Sequence, residues 1–186
     1  MSRRSVLRAV PMALVALLVL LPASALGAKP EIFHERIHDE LQDIDLCGFN
    51  VNLVVDVRFT DHLFFDKDGN VVRFSSTASG TNTFTADDGA QVIVKFANLY
   101  VERPPVVDEA AGTATVEYSF KGLPEQIKTP HGGVLMRDAG FVTFVDTIDL
   151  ATDELISTEV VVQHGPHPDL DSDFTAFCEV ITEALG

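Results

Sequence analysis

The chain of 186 residues contains no tryptophan and only two tyrosines, Tyr100 and Tyr118. These residue types supply the stacking platforms on which many proteins bind sugars and single-stranded nucleic acid. Basic residues are scarce too, because 13 lysines and arginines stand against 28 aspartates and glutamates, for a formal net charge of −15. Phosphate backbones and anionic lipid headgroups repel so acidic a chain. We therefore expect no nucleic-acid partner and no membrane-surface partner.

The first 27 residues read as an export signal rather than as part of the fold. An apolar stretch at residues 9–21 follows Arg3, Arg4 and Arg8, and small residues come directly after it. This order of charge, apolar run and small residues is typical of a cleaved signal peptide. We predict that residues 1–27 are cleaved off and that the mature chain does not insert into a membrane.

The predicted mature part, residues 28–186, has a length that suits one domain with its own core. Removal of the three leader arginines takes its formal charge from −15 to −18. We predict a secreted, extracellular protein. The paired arginines also fit a twin-arginine signal, so this route and the general secretory route both stay open.

Cysteine is nearly absent, with Cys47 and Cys178 as the only two. A pair of cysteines in an exported chain normally forms a disulfide, and no Cys-x-x-Cys spacing points to redox chemistry. We predict a structural disulfide between Cys47 and Cys178.

The stretch at residues 47–60 shows the clearest strand pattern of the chain. Apolar side chains at odd positions alternate with polar side chains at even positions, and Val54 alone breaks the alternation. Successive side chains of a strand point to opposite faces, so one face is predicted to be apolar. A strand of this length has to bend, as strands do in a small barrel or a curled sandwich.

The remaining sequence predicts further strands joined by short hairpins. Asp-Gly turns at residues 66–70 and 87–89 are strong hairpin signals. Helical spacing predicts a helix at residues 30–45 and another at residues 174–185, and two prolines and two glycines predict a long loop at 123–133. The predicted fold class is mainly β, an antiparallel meander that closes as a small β-barrel, with a β-sandwich as the alternative.

Three features characterise the chain: a cysteine at the start of the first strand, Asp-Gly hairpins, and a second cysteine near the end. In these features it resembles small secreted bacterial β-barrel or β-sandwich proteins of unknown function. The resemblance implies the fold and transfers no catalytic residue.

Residues 164–173 form the most site-like segment of the sequence. Their imidazoles and carboxylates are ligand types for zinc or calcium, and the candidate metal ligands are His164, His167, Asp169, Asp171 and Asp173. A calcium loop of the EF-hand type would need Gly at Phe174 and Glu at Val180. We therefore favour a solvated turn that leads into an acidic helix start, and we predict no metal and no cofactor.

Two other polar groups were considered for a site. His131, Gly132 and Gly133 are similar to an oxyanion-hole loop, but no Gly-x-Ser-x-Gly accompanies them, so a loop is the better interpretation. Polar residues of the first strand form either a pocket lining or an outward face with cross-strand ion pairs, and we favour the outward face; they are Asp56, Arg58, Asp61 and His62.

The function predicted from the sequence is the binding of a small apolar molecule inside the barrel, since eight-stranded barrels have room for one small ligand. The alternatives are a small β-barrel enzyme of the cyclase or isomerase type and a structural domain of the cell envelope.

Overall fold

The computed structural model describes residues 29–172 and 175–186, so the predicted signal peptide lies outside the described residues. Within them the chain forms eight strands followed by two short helices. The strands are β1 Glu31–Leu46, β2 Phe49–Phe65, β3 Val71–Thr85, β4 Gln91–Glu102, β5 Val106–Asp108, β6 Thr113–Lys128, β7 Val134–Asp149 and β8 Leu155–His164, and the helices are α1 Pro168–Asp171 and α2 Thr175–Leu185.

All strands belong to one antiparallel sheet with the order β1-β2-β3-β4-β6-β7-β8, and the short β5 pairs with β6. Each long strand therefore lies beside its predecessor, which confirms the predicted antiparallel meander. β1 and β8 form the two edges, and among the described residues they do not pair with each other. The sheet is open, and closure into a barrel is not observed.

The predicted N-terminal helix is wrong, because this segment is strand β1. Phe33, Ile37 and Leu41 are four residues apart, and this spacing keeps side chains on one face of a strand as well as of a helix. A bulge between Leu41 and Ile44 shifts the register, so that Ile44 joins the same face. Pairing with β2 along its whole length overrides the local helical pattern.

The predicted loop at residues 123–133 is shorter than expected. β6 continues through a bulge between Gly122 and Glu125 and ends only at Lys128. The predicted C-terminal helix is confirmed as α2, which begins at Thr175. Within residues 164–173, where a solvated turn is predicted, α1 forms one helical turn.

The two faces of the sheet differ in what covers them. We call the face that packs against α2 the core face and the other one the opposite face. Buried apolar side chains from five strands meet Ile181 and Leu185 of α2 there, and these strand residues are Val51, Phe84, Val92, Val94, Ile127 and Met136. They come from one end of the strands, which is the covered half of the core face; the half at the other strand ends is the open half.

The disulfide predicted from the sequence is present. Cys47, in the turn between β1 and β2, is bonded to Cys178 of α2, with a sequence separation of 131. Cys47 and several neighbours pack against the buried core. The bond therefore ties α2 to the covered half, and a disulfide fits an extracellular or oxidising compartment.

Gly80 of β3 lies against the backbone of its partner strand β2, with no room for a side chain. A Cβ atom at this position would collide with the backbone carbonyl oxygen of Asp56 and the Cα of Val57. Only glycine allows this approach, and glycines of this kind mark sharp bends in sheets.

Candidate functional site

The open half of the core face carries a cluster of aromatic side chains from four strands. We call it the aromatic cluster; it consists of Phe74, Tyr100, Tyr118, Phe120 and Phe144. Cross-strand pairing places these residues side by side, since Tyr100 pairs with Phe120 and Tyr118 pairs with Phe144. Each ring is half-buried, so the cluster retains a solvent-accessible surface.

The rings pack in the tilted and stacked arrangements that aromatic quadrupoles favour. The Tyr100 ring centroid lies 5.1 Å from that of Phe120, 5.8 Å from Tyr118 and 6.0 Å from Phe74. The Tyr118 ring stacks on Phe144 with centroids 5.2 Å apart and planes inclined by 21°. The cluster is therefore a continuous aromatic surface rather than a set of isolated rings.

Both tyrosine hydroxyls donate hydrogen bonds to carboxylates on the same face. Tyr100 donates to Glu102, and Tyr118 donates to Asp146 with 3.4 Å between the oxygens. Burial raises the pKa of Tyr100 well above its usual range, and the hydrogen bond to Glu102 adds to that effect. Burial, followed by the negative charge of Asp146, raises the pKa of Tyr118 to about 12. Both phenols therefore stay neutral at physiological pH and keep their protons directed at carboxylates.

Charge is divided between the faces of the sheet. In the strands that the structure describes, every lysine and arginine lies on the opposite face, by the pairing register; these residues are Arg36, Arg58, Arg73, Lys95, Lys121, Lys128 and Arg137. The strand residues of the core face include eight acidic side chains; they are Glu31, Glu35, Asp39, Asp61, Glu102, Glu125, Asp138 and Asp146. The aromatic cluster therefore lies on an acidic face.

A second group of titratable residues lies where the C-terminal segment crosses β6 and β7. Nδ1 of His167 is 2.7 Å from an oxygen of Asp138, and its Nε2 is 3.2 Å from the carbonyl oxygen of His164. His167 is 1% exposed, so this contact is inside the protein. A ring with its proton on Nδ1 donates to Asp138, and a doubly protonated ring donates to both oxygens.

Two further carboxylates complete this buried acid–base cluster. Asp169 is buried and accepts a hydrogen bond from the backbone N–H of Phe177, in the first turn of α2, at 2.9 Å. Glu125 pairs across the strands with Asp138. Burial, followed by the neighbouring carboxylates of Asp169 and Asp138, raises the pKa of Glu125 to about 8. Burial beside these carboxylates therefore favours the neutral, protonated form of Glu125.

The candidate metal ligands from the sequence are only partly brought together. His167 and Asp169 are buried in the acid–base cluster, whereas His164 is exposed and contributes its backbone carbonyl. Asp171 is exposed and accepts a hydrogen bond from Gln163 at 3.1 Å, and Asp173 lies outside the described residues. Among the residues described, no group of three or more such side chains is arranged to hold a metal ion.

The polar residues of β2 divide between the two faces. Asp56, Arg58 and His62 lie on the opposite face, and Asp61 lies on the core face. Asp56 forms an exposed ion pair with Arg36 at 3.0 Å, and this hydrogen bond lowers the pKa of Asp56. The outward assignment is thus correct for three of the four.

The opposite face has an open depression of about 390 Å³ around Gly80. Its lining mixes the cations Arg58 and Lys95 with Asp56 and small polar side chains. Asp56 is already paired with Arg36, and the depression has no aromatic cluster of the kind found on the core face. We regard the aromatic cluster as the better candidate site.

Sequence reasoning missed the aromatic cluster. Its residues are distributed over 71 positions of the chain, from Phe74 to Phe144, and come from four different strands. The available signal was local: Tyr118 and Phe120 share a face, as do Tyr100 and Glu102, so a polar and aromatic strip was visible on two strands.

Comparison of the chain with family models, with curated proteins and with solved structures found no match. Neither described helix is long and apolar enough to cross a bilayer.

Proposed function

We propose that this chain is an exported binding protein that holds a small, largely apolar molecule against the aromatic cluster. The observation that carries the proposal is a continuous surface of five rings that stays partly open to solvent, while α2 covers the other half of the same face. Aromatic surfaces of this kind dominate the binding of apolar ligands. The disulfide and the leader-like first 27 residues support export.

We also propose that the sheet closes around the bound molecule, with β1 against β8, as the sequence predicted for a barrel. Both strands are edges, and β8 exposes Leu155, Ile156 and Val160 to the extent of 53%, 57% and 47%. Closure would cover these side chains and satisfy the unpaired backbone groups of both edges.

Tyrosine fluorescence provides a direct test of binding. Tyr100 and Tyr118 are the only tyrosines and there is no tryptophan, so the intrinsic emission reports on the aromatic cluster alone. Titration with the neutral apolar dye N-phenyl-1-naphthylamine should quench tyrosine emission and enhance dye emission, with a saturable dependence on concentration. An unsaturable or absent response would contradict the binding proposal.

A matched pair of variants on β7 tests where the dye binds. Phe144→Leu removes a ring of the aromatic cluster, and Phe141→Leu removes a ring on the opposite face of the same strand. We expect Phe144→Leu to weaken dye binding about tenfold, since an aromatic pair is worth about 0.5–1.5 kcal/mol. Phe141→Leu should leave the Kd unchanged. Equal effects of the two variants would place the dye elsewhere.

Closure is tested separately by amide hydrogen exchange. Addition of N-phenyl-1-naphthylamine should slow exchange in β1 and β8 together, because new hydrogen bonds would protect both edges. Unchanged exchange at both edges with saturating dye would show that the ligand binds the open sheet.

A small enzyme is the second candidate, and the buried acid–base cluster is what favours it. A carboxylic acid whose pKa is raised by burial, as that of Glu125 is, favours the protonated state required of a general acid. If the chain is an isomerase or cyclase, a molecule that co-purifies with the natively exported protein should be converted on incubation, and Glu125→Gln should stop the conversion. A co-purifying molecule that the wild type leaves unchanged would favour the binding protein.

A further inference from the structure

The hydrogen-bonding state of the aromatic cluster restricts what can bind there. Three of its five members are phenylalanines without polar groups, and the two phenol protons are already given to Glu102 and Asp146. The cluster therefore presents ring faces and carboxylate oxygens, but its side chains have no free donor. An anion or a ligand rich in acceptor oxygens would find no partner among them.

The charges of the core face around the aromatic cluster also disfavour an anionic ligand. Glu102 and Asp146 touch the cluster. Asp61 lies on the same face, diagonal to Phe74, since it pairs with Ser76 and the next residue on that face, Leu63, pairs with Phe74. The lysines and arginines of the described strands all lie on the opposite face, so none of them neutralises these carboxylates from the core face. Three carboxylates next to five rings favour a positive ligand by direct attraction.

Aromatic faces add an attraction of their own for cations. The electron-rich face of a ring attracts a cationic group, and rings grouped together recognise alkylated ammonium groups in particular. An alkylated ammonium also has little need of hydrogen-bond acceptors, which suits a surface where two carboxylates already accept from tyrosines.

We propose that the ligand of the aromatic cluster is a small organic cation with an alkylated ammonium group, held between the ring faces of Tyr100 and Tyr118 and the carboxylates of Glu102 and Asp146. This inference rests on the proposed binding function and narrows its ligand class. The proposed ligand is thus an apolar molecule that carries a positively charged group at one end.

The test compares two probes of the same shape. Phenyltrimethylammonium carries the cation, and tert-butylbenzene is its neutral carbon isostere. Both are titrated into the disulfide-bonded mature protein, with tyrosine emission and NMR line shifts as readouts. We expect the cation to bind about tenfold more tightly than the isostere, and higher salt to reduce this preference.

Charge-removing variants identify the carboxylates. Asp146→Asn and the double variant Glu102→Gln/Asp146→Asn should lose the preference for the cation while they still bind tert-butylbenzene. The matched control is Glu117→Gln, which removes a carboxylate of the same strand region on the opposite face, where Glu117 contacts Arg103. This control should keep the preference. Circular dichroism establishes whether each variant is folded. If Glu102→Gln/Asp146→Asn does not fold, Asp146→Asn alone provides the comparison with the wild type.

The outcomes separate the two proposals. Equal binding of both probes, or a preference that survives Glu102→Gln/Asp146→Asn, would overturn the cation inference and leave the apolar binding site in place. Absence of binding by both probes, together with no response to N-phenyl-1-naphthylamine, would overturn both.

Discussion

The carboxylate of Asp138 lies 2.7 Å from Nδ1 of His167, and this contact joins β7 to the segment that leads into α2. Both side chains are nearly excluded from solvent, at 10% and 1% exposure. Removal of one partner of a buried hydrogen-bonded pair leaves the other polar group without compensation, which is more destabilising than the loss of a surface contact.

We therefore expect His167→Ala to lower the free energy of unfolding by about 1–3 kcal/mol. The matched control is His164→Ala, because the side chain of His164 is exposed and only its backbone carbonyl takes part in the contact. That control should change stability by no more than about 0.5 kcal/mol. Urea unfolding at pH 7 measures both, and a similar small effect of the two variants would show that the contact does not hold the C-terminal segment.

Stability should depend on pH through Glu125. Its pKa is raised from 4.5 to about 8, so the folded state keeps a proton that the unfolded chain releases above about pH 4.5. The contribution of this proton to the free energy of unfolding is fully present below about pH 4.5 and is lost as the pH rises to about 8. The free energy of unfolding should therefore fall across this window, by up to about 1.4 kcal/mol per pH unit.

Glu125→Gln provides the comparison, because glutamine does not titrate. Burial also raises the pKa of Asp138, which adds a slope of the same sign in both proteins. The difference between the two pH profiles isolates Glu125. Parallel profiles from pH 5 to pH 9 would rule out a shifted Glu125.

The register of β2 predicts which truncations destabilise the fold. Val51 is 1% exposed and belongs to the core, whereas the adjacent Asn52 points to solvent on the opposite face. Val51→Ala should lower stability by about 2 kcal/mol, and Asn52→Ala by no more than about 0.5 kcal/mol. Thermal unfolding measures the stability of both variants. A larger loss for Asn52→Ala than for Val51→Ala would mean that the even-numbered side chains, rather than the odd-numbered ones, face the core.

The alternation of β2 could be predicted because one face is buried along half its length, which leaves a period of two in the sequence. Turns were predictable for a similar reason: Asp66 accepts hydrogen bonds from the backbone N–H groups of Asp68 and Asn70, a local device that needs no distant partner. β1 could not be assigned in this way. Its apolar residues are spaced by four, its bulge changes the register, and the partner that decides its structure lies in β2.

The aromatic cluster depends on partners that are still further apart. Phe74 and Phe144 meet the tyrosines only because β3, β4, β6 and β7 are neighbours in the sheet, with β5 left to one side. A sequence reveals which face each residue occupies within its own strand. The alignment of one strand against the next follows from bulges and turn lengths, and this alignment places Tyr118 opposite Phe144.

Reduction of the disulfide should destabilise the domain strongly. Cys47 and Cys178 are separated by 131 positions, and on the chain-entropy model a loop of that order contributes about 4–5 kcal/mol. The oxidised protein should contain no titratable thiol. Cys47→Ser/Cys178→Ser should reproduce the reduced stability and no longer respond to reductant; equal midpoints of oxidised and reduced protein would contradict a stabilising role.

The same bond divides the chain into a covalent ring and two tails. Cys47 follows β1 directly, so β2 to β8 and the first turn of α2 lie within the ring. β1 lies outside it and is attached to the sheet by β2, and the rest of α2 follows the ring as a short C-terminal tail. A single proteolytic cut in any turn from residues 66–70 to residues 150–154 leaves two fragments that migrate as one species until they are reduced. A cut between Leu46 and Cys47 leaves β1 without any covalent link to the ring, held only by its pairing with β2. Under denaturing conditions β1 then separates without reduction.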